Sequence, residues 1–235
     1  MQIEAVKVRS LYMDVASQIE QSISTGEIKP GERLPSERNL ATSFKVSRPT
    51  IREAMIALEI AGLVEIRTGS GIYVIAPQEE VDKGLVDEGP GPFEVLESRM
   101  VIEAEVAALA ATRISEQQVA QLEAALLEME KDNAEGAVTE LADQEFHCII
   151  AAASGNSALA SIVEWLWELR NKSKISTLFH QRVREEGVHP SLSDHRRIYN
   201  AMKSRDSLRA REAMRAHLAN SIEADLALLE EEEGV

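Results

Sequence analysis

The sequence has a single cysteine, Cys148, among 235 residues, so an intramolecular disulfide is excluded. A lone thiol suits a reducing cytoplasm. No apolar run reaches the length of a membrane span, and residues 1–10 lack the charged-then-apolar pattern of a secretory leader. Three common enzyme signatures are also missing: H-E-x-x-H, the nucleophile elbow and the phosphate loop. These absences predict a cytoplasmic, membrane-free protein and argue against hydrolase chemistry.

The stretch from Gly31 to Ile72 has the pattern of two short helices joined by a tight turn. Ser36 is placed to cap a helix beginning at Glu37, whose apolar stripe ends near Phe44. Ser47 is placed to cap the second helix, which carries arginines in its first turns and apolar residues on a buried face.

A glycine-tipped hairpin is predicted after the second helix. Gly62 can end that helix in the left-handed conformation. Residues 63–67 and 72–75 are then predicted as strands around the turn 68–71, whose glycines need no Cβ at the tip. Helix, turn, helix and wing is the arrangement that places a second helix in a DNA major groove. The sequence therefore predicts binding to double-stranded DNA.

The net charge of −15 is unevenly distributed along the chain. Residues 1–77 contain nine Lys and Arg and nine Asp and Glu, so that part is neutral. The remaining 158 residues hold 16 basic and 31 acidic side chains, which account for the whole excess. Because affinity for DNA depends on charges near the phosphates, the acidic second half is compatible with a DNA-binding first half.

The amino-acid composition also marks the boundary between two domains. Residues 77–92 are polar, acidic and rich in glycine and proline, which predicts a linker. From residue 93 the strand signals end and helical periodicity dominates, including a capping-box pattern at Ser115 and Gln118. The periodicity predicts an antiparallel bundle of six helices, over about 93–112, 115–131, 139–153, 156–179, 191–203 and 206–230.

Four side chains of this bundle have the chemistry of a metal site. Asp143 and His147 are four residues apart on one predicted helix and therefore share a face. His195 and His217 lie on two later helices. Three imidazoles and a carboxylate converging from three helices can bind a divalent transition metal. From spacing alone, a helix cap, an ion pair and ordinary core histidines explain the same residues.

Two motif sets resemble a known family. The segments GERLPSER and VSRPTIREAMIALEIAGLVEIRTGSGIYV are similar to the GntR family of bacterial transcription regulators, and the C-terminal part resembles its FadR-like branch with an FCD domain. The resemblance implies an α+β chain, with a winged helix-turn-helix domain at 1–76, the linker at 77–92 and an all-α antiparallel bundle of FCD type at 93–235. The DNA-contacting set predicted from the two helices and the wing comprises Arg38, Lys45, Ser47, Arg48, Thr50, Arg52, Arg67, Thr68 and Gly69.

The resemblance also bears on the four metal-type residues. The pattern D-x-x-F-H, then an acid-His-Arg near the start of the penultimate helix, then a histidine in the last helix, matches the metal-binding version of the FCD domain. It implies that Asp143, His147, His195 and His217 bind a divalent transition metal: zinc, nickel or manganese. His180 is left open between the effector cavity and the surface, and His189 is expected in a loop.

Arg99 has two interpretations. It can pair with an acid of its own helix, such as Glu97 or Glu103. It also resembles the arginine with which this branch holds the carboxylate of its effector, since the planar guanidinium matches two carboxylate oxygens. Arg170 and Asn220 are further candidates for effector contacts. Trp165 is expected in the core, and Trp167 in the cavity wall.

The effector is expected to be a small carboxylate. The segments GPFEVLESRMVIEAE and SGNSALASIVEWLWELR resemble the hexuronate-responsive repressors of this branch, while lactate, glycolate and similar acids suit the same architecture. A regulator that senses the metal itself and a metal-dependent enzyme with a DNA-binding module are the alternatives. The favoured interpretation is a homodimeric, non-enzymatic repressor that its effector releases from operator DNA, because a two-fold dimer matches paired half-sites.

Overall fold

We analysed the chain in a computed structural model, which describes residues 10–67, 70–76, 85, 89–136 and 140–227. Apart from the short Ser173–Ile175 stretch, the chain divides into two compact units that meet in sequence between Phe93 and Glu94. The first unit combines helices with a two-stranded sheet, and the second is helical. The predicted α+β class, with a winged N-terminal part and a helical C-terminal part, is confirmed.

In the part of the first unit that the structure describes there are three helices and a hairpin: α1 (Leu11–Ser24), α2 (Glu37–Phe44), α3 (Arg48–Ile60), β1 (Val64–Arg67) and β2 (Gly71–Val74). Ser36 and Ser47 cap α2 and α3 as predicted, because their hydroxyls accept the N–H of Asn39 and Thr50, both at 3.3 Å. Lys45 turns the chain between the helices with φ 57°, and Gly62 has φ 71° after α3.

Helix α1 was not predicted. It packs against α3 and buries one apolar face, with Tyr12, Val15, Ala16 and Ile19 at helical spacing. Its partner α3 is buried over most of its length, from Thr50 to Leu58. The second helix of the helix-turn-helix is therefore held from behind by α1 as well as by α2.

The wing is an antiparallel pair in which Val64 faces Val74 and Arg67 faces Gly71. Gly71 has φ 113°, a backbone conformation that L side chains rarely adopt, so this position favours glycine. Thr68 and Gly69, the predicted wing-tip contacts, lie outside the described residues. So does most of the linker predicted at 77–92.

The second unit consists of seven helices within the described residues: α4 (Pro92–Ala111), α5 (Glu116–Glu135), α6 (Leu141–Ala153), α7 (Ser157–Lys172), α8 (Lys174–Glu185), α9 (Leu192–Lys203) and α10 (Ser207–Ala227). The prediction of one helix over 156–179 was wrong, because the chain breaks at Ser173 into α7 and α8. The hydroxyl of Thr177 donates to the carbonyl of Asn171 at 3.3 Å, which satisfies an acceptor freed at the end of α7. No described helix is long and apolar enough to cross a membrane.

The core of the bundle includes Val106, Ala151, Val163 and Trp167. Trp167 is 1% exposed, whereas Trp165 is 55% exposed, so the expectation that Trp165 belongs to the core was wrong. Helix α7 buries Val163, Leu166, Trp167 and Arg170, a stripe at helical spacing that excludes residue 165.

Candidate functional site

The four metal-type side chains meet inside the second unit. Asp143 and His147 come from α6, His195 from the first turn of α9, and His217 from α10. One ligand atom from each residue lies within 4.8 Å of all the others, and all four side chains are buried. We refer to Asp143, His147, His195 and His217 as the quartet.

His195 is oriented by hydrogen bonds on both ring nitrogens. Nδ1 lies 2.9 Å from the Ser191 carbonyl oxygen, and Nε2 lies 2.7 Å from Asp143 Oδ1. The carbonyl can only accept, so Nδ1 must donate its proton there. In a neutral ring Nε2 then carries a lone pair, which points at a carboxylate oxygen. A cation between these two atoms would resolve that repulsion, and a carbonyl behind a coordinating histidine is the usual supporting contact in metal sites.

His147 is oriented by a carboxylate from another helix. Its Nδ1 contacts Glu103 Oε2, and its Nε2 lies 3.5 Å from Asp143 Oδ1 with no hydrogen-bond partner among the described residues. Glu103 is 2% exposed and also accepts a hydrogen bond from Arg99 Nε at 2.6 Å. Burial opposes ionisation of Glu103, but Arg99 and His147 lower its pKa to about 2, so it remains a carboxylate.

His217 completes the donor set as a neutral ring. Burial, together with the neighbouring His195 and His147, holds the pKa of His217 well below its ordinary value. Its Nδ1 is buried without a hydrogen-bond partner among the described residues, and its ring centroid lies 4.2 Å from that of His195. Orphaned imidazole nitrogens beside an ionised aspartate are the groups that a divalent transition metal binds. The residues present therefore fit such an ion.

A cavity of about 360 Å³ opens beside the quartet. Asp143 and His217 form part of its wall, as does Arg99 from α4. Arg99 is 2% exposed, its guanidinium carbon lies 3.9 Å from the Trp167 ring centroid, and its Nη2 has no hydrogen-bond partner among the described residues. Its Nε is engaged by Glu103, so the pairing with an acid of its own helix is present. The contact of Arg99 with an effector carboxylate stays a prediction.

The other predicted effector residues also line this cavity. Arg170 is 7% exposed, contacts Glu140, and places Nη2 3.1 Å from His180 Nδ1. Asn220 lies at the exposed rim, where its amide donates to Asp194 at 3.0 Å. His180, left open from the sequence, lines the cavity, and burial with nearby arginines holds its pKa well below the ordinary value.

The predicted DNA contacts fall into two groups. Arg38, Lys45, Ser47 and Arg67 are exposed, and Arg48 is half-buried. Thr50 and Arg52 are buried. Arg52 makes a two-bonded pair with Glu37, with Nε–Oε1 at 2.8 Å and Nη2–Oε2 at 2.7 Å, and thereby joins α3 to α2. In this structure Arg52 supports the helix pair, and its contact with DNA stays a prediction.

The cavity residues that the sequence reasoning did not identify include Glu140, Asp225 and Arg184. Glu140 precedes Asp143 by three residues, and Asp225 follows His217 by eight, so helical spacing from the quartet was an available signal for both. Arg184 had no such signal, because it belongs to α8, which the sequence reasoning did not separate from α7. Arg184 and Arg170 both contact Glu140.

A winged helix-turn-helix followed by a helical unit with a buried polar cavity defines a class: DNA-binding transcription regulators with a ligand-binding domain. Residues 11–74 match the model of the bacterial regulatory proteins of the gntR family, and residues 94–220 match the FCD domain. The chain belongs to the GntR family, in its FadR-like, FCD-containing branch. Proteins of this family are transcription regulators that bind operator DNA, not enzymes, so the predicted regulatory function is confirmed.

Relatives across most of the chain support this assignment. The Exu regulon transcriptional regulator of Escherichia coli K12 is 35% identical over 93% of this chain and 86% of its own length. The Uxu operon regulator of Haemophilus influenzae is 32% identical over 91% and 81%. A GntR-family regulator from Pseudomonas syringae shares the fold with a TM-score of 0.50, at 21% identity over 95% of this chain and 87% of that chain.

Proposed function

We propose that this regulator is a repressor that a small organic acid, bound beside a divalent transition metal, releases from its operator. The observation that carries the proposal is the buried quartet beside Arg99 in one polar cavity. The quartet offers one carboxylate and three imidazoles, and Arg99 offers an unpaired guanidinium nitrogen among the described residues. A carboxylate ligand satisfies both groups at once.

The roles of the residues follow from their chemistry. Asp143, His147, His195 and His217 would hold the metal, which supplies a Lewis-acidic centre for a ligand oxygen. Arg99 would bind the effector carboxylate through charge-assisted hydrogen bonds. Glu103 keeps both Arg99 and His147 in position, because its two oxygens contact one residue each.

A hexuronate-like sugar acid is the favoured effector. The relatives are named as regulators of the Exu regulon and of the Uxu operon, and the sequence itself resembles hexuronate-responsive repressors. Binding in the bundle shifts operator affinity only if the acid binds the non-DNA-binding arrangement more tightly, with a typical coupling of about 1–3 kcal/mol.

The DNA-binding side of the proposal uses 1–76 as the winged domain, 77–92 as the linker and 93–235 as the dimerising, effector-binding domain. Operator half-sites about one helical turn apart are matched by a two-fold homodimer acting in the cytoplasm. The recognition helix α3 would contact bases and phosphates through the exposed and half-buried residues at its start. Arg38, Lys45 and Arg67 would contact the phosphate backbone of the DNA.

The proposal is tested by thermal shift and operator release with sugar acids, each with and without a chelator. An acid that raises the melting temperature only in the metal-loaded protein, and that releases operator DNA, supports it. Release on adding or removing metal alone, with no response to any acid, would mean that the metal is the signal.

Metal content gives the first prediction. The protein as purified should contain about one zinc, nickel or manganese ion per chain, because clustered imidazoles favour later first-row metals. His195→Ala and His217→Ala should each lower occupancy sharply, as measured by plasma mass spectrometry, while circular dichroism remains that of a folded chain. His189→Ala, a histidine outside the quartet, serves as the control. Full occupancy in both quartet variants would exclude the site.

Operator affinity gives the second prediction. Arg48→Ala should weaken binding to operator DNA by about 1–3 kcal/mol, or roughly 5- to 150-fold, if the side chain reads a base edge. Fluorescence anisotropy at fixed salt measures the effect, with Arg215→Ala, an exposed arginine of α10, as the matched control. Unchanged operator affinity in Arg48→Ala and in Arg52→Ala would show that α3 is not the recognition helix.

A further inference from the structure

A second polar cluster lines the same cavity as the quartet. It consists of five side chains, which we call the distal cluster: Glu140, Arg170, His180, Arg184 and Asp225. Four of them belong to α7, α8 and α10, and Glu140 immediately precedes α6. Glu140 contacts both arginines, and Arg170 lies 3.1 Å from His180 Nδ1. Both arginines and Asp225 are 7% exposed, so these charged side chains are buried.

The cavity extends from the quartet to the distal cluster along α10. His217 and Asp225 both line it, as do Asn220, Ser221 and Ala224 between them. Eight residues of α-helix correspond to about 12 Å along the axis. Asp225 is therefore the member of the distal cluster that lies furthest along α10 from His217.

Several groups of the distal cluster have unused hydrogen-bonding capacity. Among the described residues, His180 Nε2, Arg170 Nε and Arg184 Nε have no hydrogen-bond partner, and all three atoms are buried. The Asp225 side chain is buried as well and forms no hydrogen bond with a described residue. Arg170 can only donate, so His180 Nδ1 accepts and Nε2 carries the ring proton as a donor. Burial raises the pKa of Asp225 to about 7, so near neutral pH its carboxyl group both donates and accepts.

We propose that the distal cluster binds the far hydroxyl groups of a polyhydroxylated six-carbon acid whose carboxylate lies at Arg99. The inference rests on the proposed function of the quartet and Arg99, and it adds the residues that recognise the hydroxyl groups far from the carboxylate. Alternating donors and acceptors suit hydroxyl groups, which do both. Orphaned buried polar groups make such a site selective, since a ligand without the matching hydroxyl leaves them unsatisfied.

Ligand length agrees with the span of the cavity. Carbon–carbon bonds of about 1.5 Å give a six-carbon chain in its open, extended form an extent of roughly 6 Å. An oxygen atom and a hydrogen bond of about 2.8 Å at each end bring the reach to roughly 12–14 Å. A two-carbon acid such as glycolate has the carboxylate and the hydroxyl for the quartet end, but it cannot reach Asp225.

The test measures the affinity of the metal-loaded wild type for four probes by calorimetry: D-glucuronate, D-galacturonate, D-fructuronate and glycolate. At least one six-carbon acid should bind at least 30-fold more tightly than glycolate. Asp225→Ala should lower the affinity for that acid by about 10- to 100-fold and leave the affinity for glycolate unchanged within twofold. Asp225→Asn, which preserves the shape of the side chain, should also lower the affinity for that acid, but by a smaller factor.

Controls separate this inference from the proposed function. Glu223→Ala, an exposed acid two residues away on α10, should bind all probes as the wild type does. Arg99→Ala should lose affinity for the six-carbon acids and for glycolate together. A wild type that binds none of the four probes contradicts the proposed function and the inference with it. Equal binding of glycolate and the six-carbon acids, or an Asp225→Ala protein with unchanged affinity for them, contradicts the inference alone.

Discussion

Arg99→Ala should retain metal and operator DNA but lose the response to effector. Removing a buried, charge-assisted contact is expected to cost about 2–4 kcal/mol of effector affinity, or roughly 30- to 1000-fold. Arg99 lies outside the quartet and outside the DNA-binding unit. It touches the quartet only indirectly, through Glu103, whose other oxygen still contacts His147 in the variant. Release of labelled operator DNA across an effector titration measures the loss.

The same variant should also be less stable without effector. Arg99 is paired with Glu103 at 2.6 Å and stacked on Trp167, and breaking a buried ion pair from one side typically costs about 3–5 kcal/mol. Arg99→Lys separates the two effects, because lysine keeps the charge beside Glu103 and loses the planar fork. Arg211→Ala, which removes a surface pair with Glu105, is the matched control. An Arg99→Lys protein released at the wild-type effector concentration would rule out a bidentate clamp.

The DNA-binding unit was largely readable from sequence because its signals are local. The caps at Ser36 and Ser47 and the turn at Gly62 each depend on a few neighbouring residues. One feature depends on a distant contact and was not foreseen. Arg52 has the position of a DNA contact, yet Glu37, fifteen residues earlier, binds its guanidinium.

In the helical bundle, the sequence predicted those site residues whose positions follow from helical spacing. Asp143 and His147 share a face by geometry alone, and the structure brings them together with His195 and His217. The break at Ser173 was missed because residues 170–174 contain no glycine or proline to mark a helix end. Because α8 was not predicted as a separate helix, Arg184 and the rest of the distal cluster were not included in the predicted site.

The pH dependence of stability gives the last prediction, and it depends on Asp225. Burial raises its pKa from 3.8 to about 7; Glu140 adds to the rise, while Arg170 and Arg184 oppose it. The folded state therefore holds the proton more tightly than the unfolded state. This contribution is fully present below about pH 4 and is lost as pH rises through 7. At about 1.4 kcal/mol per pKa unit, the loss amounts to roughly 4 kcal/mol.

Asp225→Asn isolates that contribution, because every other titrating group is common to both proteins. The amide has no charge to bury, so the variant should gain stability relative to wild type as pH rises from 5 to 8, and the gain should level off above pH 8. Urea unfolding at each pH measures the difference, with Glu223→Gln as the exposed control, for which a flat difference is expected. A difference between Asp225→Asn and wild type that does not change across this range would mean that the Asp225 carboxyl group is solvated in the folded protein, and a solvated carboxylate would not serve as the buried partner of a ligand hydroxyl.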